Sequence, residues 1–100
     1  MGQHTLRITI QQFEEATVLT LEGRVTGPWA EELGRVWTER APLLAQGSLL
    51  IDLSNVTYAD ADGKRVLSAI YSETQPRVIA ATPWTQHLAR EIAGENNQQF

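Results

Sequence analysis

All three aspartates of this chain, Asp52, Asp60 and Asp62, lie within one short segment that ends at Gly63. Carboxylates so closely spaced can bind a cation, transfer a proton or attack a substrate, so this segment is the first candidate for chemistry. It runs from the end of an apolar stretch into the start of a helical pattern. Functional groups of open α/β sheets collect at such a point.

A structural role explains the same carboxylates without any chemistry. Asp60 is placed to cap the N-terminus of a helix, and Asp62 would then lie in the first turn, where negative charge favours the helix dipole. Asp52 could cap a backbone turn at the end of the strand. The sequence leaves the structural and the functional interpretation both open.

A calcium-binding EF-hand loop can be tested against the spacing. With Gly63 as its sixth residue, the loop would begin at Tyr58 and end at Ala69. Neither residue supplies the carboxylate that those positions need. The pattern excludes an EF-hand.

The segment Asp60-Ala61-Asp62-Gly63 also matches the Asp-x-Asp of haloacid-dehalogenase-type phosphatases. Lys64 and Arg65 stand where that pattern has a threonine and an apolar pair, and no later pair of acidic residues is available to hold a metal. A small aspartate-based, metal-dependent hydrolase using Asp52, Asp60 and Asp62 stays as an alternative. A calorimetric titration with magnesium and calcium separates it from a binding module, for which we expect neither a metal nor a cofactor.

Composition excludes several other classes of protein. The chain has 100 residues, the size of one domain, and 42% of them are hydrophobic. Eight basic and twelve acidic side chains give a net charge of −4, which argues against nucleic-acid binding. The absence of cysteine excludes disulfides, zinc–thiolate sites and a thiol nucleophile. His4 and His87 have no partners that would support catalysis or a metal site, so we predict no catalytic residue.

The termini and the apolar runs predict a cytoplasmic domain. The runs are too short to span a bilayer, and the chain has one lysine, so neither membrane insertion nor a polybasic membrane patch is expected. Residues 1–5 lack the basic and apolar regions of a secretory signal. The domain is expected to cover residues 1–95, with 96–100 as a polar tail.

The first half of the chain changes from strand to helix periodicity. Leu6 to Gln11 alternates apolar and polar residues, and Ala16 to Leu21 is a second strand joined to the first by a hairpin. From Pro28 to about residue 45 the apolar spacing becomes helical, with Glu31 and Glu32 expected in the first turn. Pro42 is expected to break this helix, and Gly47 to close the segment.

The second half repeats a strand–helix pattern. Leu49 to Leu53 is an apolar run that predicts a strand covered on both faces. A helix from about Ala61 to Glu73 follows, then a buried strand from Arg77 to Ala81. A last helix, started by Thr82-Pro83 and ended by Gly94, is expected to turn three apolar residues inward: Trp84, Leu88 and Ile92.

The order β-β-α-β-α-β-α predicts a single α/β domain. Two strand–helix–strand crossovers require parallel strand pairs with helices packed over a mixed sheet of four to five strands. At least two of the three tryptophans, Trp29, Trp37 and Trp84, are expected in the core, and Trp29 is the one expected to be partly exposed.

Several motifs together resemble the STAS domain, the fold of bacterial anti-sigma factor antagonists. Its signature is Asp-Leu-Ser, an apolar residue two positions on, then Asp-Ser-Ser-Gly before an apolar helix. Here Asp52-Leu53-Ser54-Asn55-Val56 and Asp60-Ala61-Asp62-Gly63 stand in those places. The segment 21–26, the helix start at 27–33 and the late strand at 78–80 also fit the family, so the resemblance covers nearly the whole chain.

The resemblance implies a non-catalytic protein-interaction module that acts in signal transduction and transcription regulation. In that family a serine just before the glycine is phosphorylated by an anti-sigma factor that is a kinase-like ATPase. The unmodified form binds this kinase and frees the sigma factor, and phosphorylation abolishes the binding because it adds about −1.5 to −2 charge at the interface. STAS-like domains also serve as subunits of transport complexes, which gives a second class of partner.

This sequence departs from the family at the phosphorylated position. Ala61 and Asp62 replace the two serines, so Asp62 puts a fixed carboxylate where the family has its phosphosite. The domain is then either locked in a phosphorylated-like state or adapted to a partner that expects the carboxylate. Ser54 and Thr57 keep hydroxyls nearby. The partner-binding residues expected from the resemblance surround the start of the second helix: Thr57, Tyr58, Asp60, Ala61, Asp62, Gly63, Lys64 and Arg65.

Overall fold

The computed structural model of the chain describes residues 6–41 and 48–94. Within these ranges the predicted order β-β-α-β-α-β-α is confirmed. The seven elements are β1 Leu6–Gln12, β2 Ala16–Val25, α1 Gly27–Arg40, β3 Ser48–Ala59, α2 Ala61–Thr74, β4 Arg77–Ile79 and α3 Pro83–Ile92. The predicted helix break at Pro42, the closure at Gly47, His4 and the tail at 96–100 all lie outside the described residues.

The four strands form one mixed sheet in the order β1-β2-β3-β4. The hairpin pairs β1 with β2 antiparallel, from Leu6 opposite Gly23 to Gln12 opposite Thr17. The two crossovers make β2–β3 and β3–β4 parallel, as the order of elements predicts. The carboxyl ends of β2 and β3 therefore lie at the same edge of the sheet, where α1 and α2 begin.

The core lies between the helices and one face of the sheet. Alternate strand residues such as Leu19, Leu21 and Ile51 are fully buried, and they form one cluster with residues such as Leu33 of α1 and Leu67 of α2. Residues of the opposite face are half-buried or exposed, so the prediction of a third strand covered on both faces is wrong. Leu50, which makes the apolar run at 49–53 nearly continuous, lies on that open face and is only half-buried.

Strands β3 and β4 both differ from the expected lengths. Strand β3 continues six residues beyond Leu53, and its register against β2 shifts twice, between Thr20 and Glu22 and between Gly23 and Arg24. These shifts are β-bulges that insert extra β3 residues into the pairing. Strand β4 has three residues and pairs only with Leu50 to Asp52, so the predicted buried strand is instead a short, largely exposed edge.

Helix ends follow local capping chemistry. Thr82 and Thr85 form a reciprocal capping box at the start of α3, and Gly94 follows its end with φ +81°. Because the Thr85 side chain takes this buried capping position, Thr85 rather than Trp84 faces the core with Leu88 and Ile92.

The tryptophans differ in their surroundings. Trp37 is buried in the core and donates its indole N–H to Glu73 Oε1 at 3.1 Å, which joins α1 to α2. Trp29 is half-buried against the core, so two of the three pack there as expected. Trp29 is partly exposed, as expected, and Trp84, with 37% of its surface exposed, is more exposed still.

Candidate functional site

Asp60 connects the N-termini of two helices. It is the N-cap of α2, and its Oδ1 accepts a hydrogen bond from the Gly63 N–H at 2.8 Å. Its Oδ2 accepts a second bond, at 3.1 Å, from the N–H of Gly27, the first residue of α1. Thr26, the N-cap of α1, makes no side-chain capping bond. The structure thus confirms the predicted cap on α2, and adds a bond to α1 that no local pattern predicts.

These bonds lower the pKa of the Asp60 carboxyl below its ordinary value. The N–H of Gly63 contributes most, partial burial opposes it, and the N–H of Gly27 adds to the lowering. A carboxyl whose folded-state pKa is depressed stabilises the fold above its unfolded pKa, and this stabilisation is lost as the pH falls through the folded pKa. The carboxylate form of Asp60 therefore holds both helix starts together near neutral pH.

We expect Asp60→Asn to lower Tm at pH 7 by roughly 5 °C, the size typical of losing one cap in a domain of this length. The amide has a single acceptor oxygen and cannot serve both N–H groups. Because the variant has lost the titrating group, its Tm should fall less than that of the wild type between pH 6 and pH 3. Thermal denaturation followed by circular dichroism measures both effects.

The matched control is Asp62→Asn, which leaves both bonds at Asp60 in place and should keep the wild-type dependence on pH. If Tm fell by the same amount between pH 6 and pH 3 in the wild type and in Asp60→Asn, the role assigned to Asp60 would be contradicted.

Gly63 brings the first turn of α2 against the end of β2. The residue is buried, and an added Cβ would overlap the carbonyl oxygen of Val25 and lie 3.0 Å from Val25 Cγ1. That carbonyl oxygen accepts the Asp60 N–H at 3.2 Å. Only glycine allows the backbone of α2 to come this close to β2, so Gly63 determines the position of the α2 N-terminus.

The residues around Gly63 differ in exposure. Ala61, Asp62 and Arg65 are exposed, and Arg65 Nη2 donates to Asp62 Oδ1 at 2.8 Å. Ion pairs between such exposed side chains contribute little to stability. Lys64 turns the other way, toward α3, where its Nζ lies 3.1 Å from Glu91 Oε1. Asp62 and Arg65 are the charged groups of this turn most free to contact another molecule.

Thr57 and Tyr58 extend the exposed surface onto β3. The second bulge leaves Thr57 as an extra residue between Val56 and Tyr58, and both Thr57 and Tyr58 are exposed. The guanidinium of Arg24 on β2 lies 5.5 Å from the centre of the Tyr58 ring, a cation–π distance. Thr57 and Tyr58 therefore lie near the end of β3, just before the start of α2.

Residues of α1 that the sequence did not predict as site residues lie beside this surface. An open depression of about 370 Å³ lies between the starts of α1 and α2. Pro28, Ala30 and Glu31 form one side of it, and Asp62 and Arg65 form part of the other. No local signal marks them, because their position depends on the Asp60–Gly27 bond across the fold.

Asp52 lies apart from this surface. It is in the middle of β3, and its Oδ1 accepts the N–H of Ser54 at 2.9 Å, at the first bulge. The predicted cap of a turn at the strand end is wrong, because β3 continues past Asp52 and its carboxylate instead bonds to the backbone within the bulge. Asp60 is occupied by two backbone donors and Asp62 by Arg65, and within residues 6–41 and 48–94 no three carboxylates or imidazoles are grouped to hold a metal ion.

The sheet order, the crossovers and the placement of α2 define the SpoIIAA-like fold of anti-sigma factor antagonists, the STAS fold that the motifs predict. An anti-sigma factor antagonist from Mycobacterium paratuberculosis superposes with a TM-score of 0.73 at 20% identity, over 92% of this chain and 80% of that one. The antagonist SpoIIAA in its unphosphorylated form gives a TM-score of 0.67 at 13% identity, over 94% and 86%.

A STAS domain from Rhodobacter sphaeroides, an antisigma-factor antagonist, gives a TM-score of 0.59 at 15% identity, over 88% of this chain and 95% of that one. These likenesses establish the fold. In sequence, the chain matches no protein-family profile and no curated protein. Among the described helices, none has the length and hydropathy needed to cross a bilayer.

Proposed function

We propose that this chain is a non-catalytic protein-interaction module of the anti-sigma factor antagonist type, with a fixed carboxylate at the position of the phosphorylated serine. The observation that carries the proposal is the placement of Asp62, exposed in the first turn of α2 directly before the buried Gly63. The fold shared with anti-sigma factor antagonists, one of them described in its unphosphorylated form, supports it.

The binding surface consists of the exposed residues around the start of α2. Thr57, Tyr58, Ala61, Asp62 and Arg65 are exposed, while Asp60 and Gly63 hold the backbone beneath them. Lys64 joins α2 to α3 at the margin of this surface. The partner is a protein of the kinase-like anti-sigma factor class that presents a cation to Asp62, because a partner built for a neutral hydroxyl would be repelled by a carboxylate at this turn.

Asp62 suits a contact that needs permanent negative charge. It lies near a helix N-terminus, where a carboxylate is favoured, and its ion pair with Arg65 can open at small cost. A partner arginine or lysine can then take the place of Arg65 and form a charge-assisted hydrogen bond. A serine kinase cannot phosphorylate Asp62, so binding at this surface is not switched there by phosphate.

Purified kinase-like anti-sigma factors from the source organism provide the test. By isothermal titration calorimetry we expect Asp62→Ser and Asp62→Asn to weaken binding by about 1–3 kcal/mol, which corresponds to roughly 5- to 150-fold. Glu39→Gln, which removes an exposed carboxylate near the other end of α1, should bind as the wild type does.

Radiolabelled ATP adds a second readout to the same experiment. The wild-type chain should take up no phosphate in residues 54–65. If Asp62→Ser bound its partner unchanged and lost only thermal stability, Asp62 would be a first-turn helix residue and no more. Phosphate on Ser54 or Thr57 of the wild type would instead place a switch at a neighbouring hydroxyl.

A further inference from the structure

We propose that the chain forms a weak, two-fold symmetric homodimer through the edge of β1 that points away from β2 and the adjoining flank of α1. This flank is opposite the one on which Gly34 faces Val66 of α2. The dimer surface is therefore separate from the surface around Asp62, and the inference does not depend on the proposed function.

The outer edge of β1 lacks the features that usually prevent pairing with a strand of another molecule. Its seven residues pair with β2 in one unbroken register, and within the described residues no strand pairs with its other edge. Natural edge strands are usually protected by lysine, proline, bulges or shortness. Strand β1 has no lysine, proline or bulge, and its only charged residue is Arg7. It can accept a second strand by main-chain pairing.

A groove lined by both apolar and charged side chains runs beside this edge. It lies between β1 and α1, has a volume of about 370 Å³, and is lined by Ile8 and Ile10 of the strand and by Trp29 and Val36 of the helix. All four side chains are half-buried, so each keeps part of its apolar surface open to solvent, and Ile8, Ile10 and Trp29 pack against the core. Pairing of two β1 edges would cover this surface from the side.

Charges on the same flank of α1 complement one another under two-fold symmetry. Glu32 and Arg40 both line the groove, four residues before and four residues after Val36. Two antiparallel copies of α1 related by an axis near Val36 place Glu32 of each copy beside Arg40 of the other. Arg40 forms no ion pair in the described part of the chain. Glu32 now binds Arg35, which would keep its 3.0 Å pair with Glu39.

The strand residues fit the same axis. Antiparallel pairing of two β1 strands about Thr9 sets Ile8 of one copy opposite Ile10 of the other, on the face toward the helices. On the opposite face, Arg7 meets the neutral Gln11, so no like charges oppose each other. The product is a continuous eight-stranded sheet with an isologous interface.

The size of this interface predicts a weak dimer. Strand β1 is about 24 Å long and α1 about 21 Å, and together they bury on the order of 1,000 Å² in total. This lies at the low end for specific interfaces. We expect a dissociation constant on the order of tens of micromolar.

Sedimentation equilibrium of the full chain between about 5 and 500 µM tests the proposal. The wild type should pass from monomer to dimer, and Glu32→Arg or Arg40→Glu alone should raise the dissociation constant about tenfold or more. The double variant Glu32→Arg/Arg40→Glu restores the complementary pairs and should return to within about threefold of wild type. Glu39→Arg also removes a carboxylate from Arg35, but lies outside the groove, and should dimerise as the wild type does.

Amide hydrogen exchange provides the structural readout. Alternate N–H groups of Leu6 to Gln12, those that point away from β2, should become protected as the wild-type concentration rises. A monomer at every concentration would overturn the proposal. The proposal would also be overturned by a dimer whose dissociation constant is unchanged by both charge reversals and whose formation leaves the amide exchange rates of β1 unchanged. Such a dimer would use another surface.

Discussion

Replacing Gly63 by alanine is expected to lower the free energy of unfolding by about 3 kcal/mol, since the new methyl group cannot be accommodated without a backbone shift. The added Cβ would overlap the carbonyl oxygen of Val25, and moving that carbonyl weakens the bond it accepts from Asp60. Such a loss is a large part of the stability of a small domain. Urea denaturation followed by far-UV circular dichroism measures it.

Gly34→Ala is the matched control for this substitution. Gly34 lies within α1, and a Cβ there would rest 3.8 Å from Val66 Cγ1, an ordinary contact. Alanine should therefore raise the free energy of unfolding by about 0.5–1 kcal/mol, as expected in a helix interior. An equal, small effect of both substitutions would show that Gly63 does not set the approach of α2 to β2.

Trp37→Ala should lower the free energy of unfolding by about 3–5 kcal/mol, the largest loss we expect from replacing any one side chain. The substitution leaves a cavity in the core and removes the indole donor of Glu73 Oε1, so the side-chain hydrogen bond between α1 and α2 is lost. Trp84→Ala, at a site with 37% exposure, should cost less than about 1 kcal/mol.

Comparing these two tryptophan variants tests the assignment of the core. Trp37→Phe adds a third measurement, because it keeps most of the ring but removes the indole N–H. Its loss of unfolding free energy should lie between those of the two alanine variants. If Trp84→Ala proved as costly as Trp37→Ala, α3 would pack differently from the arrangement described.

Much of the fold follows from local sequence signals. The alternation from Leu6 to Gln11, the cap at Thr82-Pro83 and the glycine at position 94 predict the elements that they lie in, because each depends only on neighbouring residues. Asp60 belongs to the same group. Its position before an apolar helix predicts its bond to Gly63 without knowledge of the rest of the chain.

Features that depend on distant residues could not be predicted in this way. The predicted strand ends at Leu53, yet residues 54–59 continue β3, because two bulges let them pair with β2. The buried side of α3 includes Thr85 rather than Trp84, because a capping hydroxyl can be buried where it has partners. Helix α1 begins at Gly27, so Glu31 and Glu32 fall beyond its first turn.

The candidate site shows the same division. The motif around Asp60 and Gly63 predicts the first turn of α2 as an exposed structural unit, and the structure places Ala61, Asp62 and Arg65 on its surface. The contribution of Glu31 and Pro28 was missed, since α1 meets α2 through tertiary contacts alone. The binding role of all these residues stays a prediction.

The carboxylate shared by two helix starts makes the exposed turn of α2 depend on a remote part of the chain. Gly27 and Asp60 are 33 residues apart, so their bond closes a long loop that contains all of α1 and β3. Opening of the first turn of α1 removes one of the two bonds at Asp60, and so couples the unfolding of the two turns. A partner that binds around Asp62 thus recognises a surface complete only in the assembled β2–α1–β3–α2 unit, and its binding free energy adds to the stability of that whole unit.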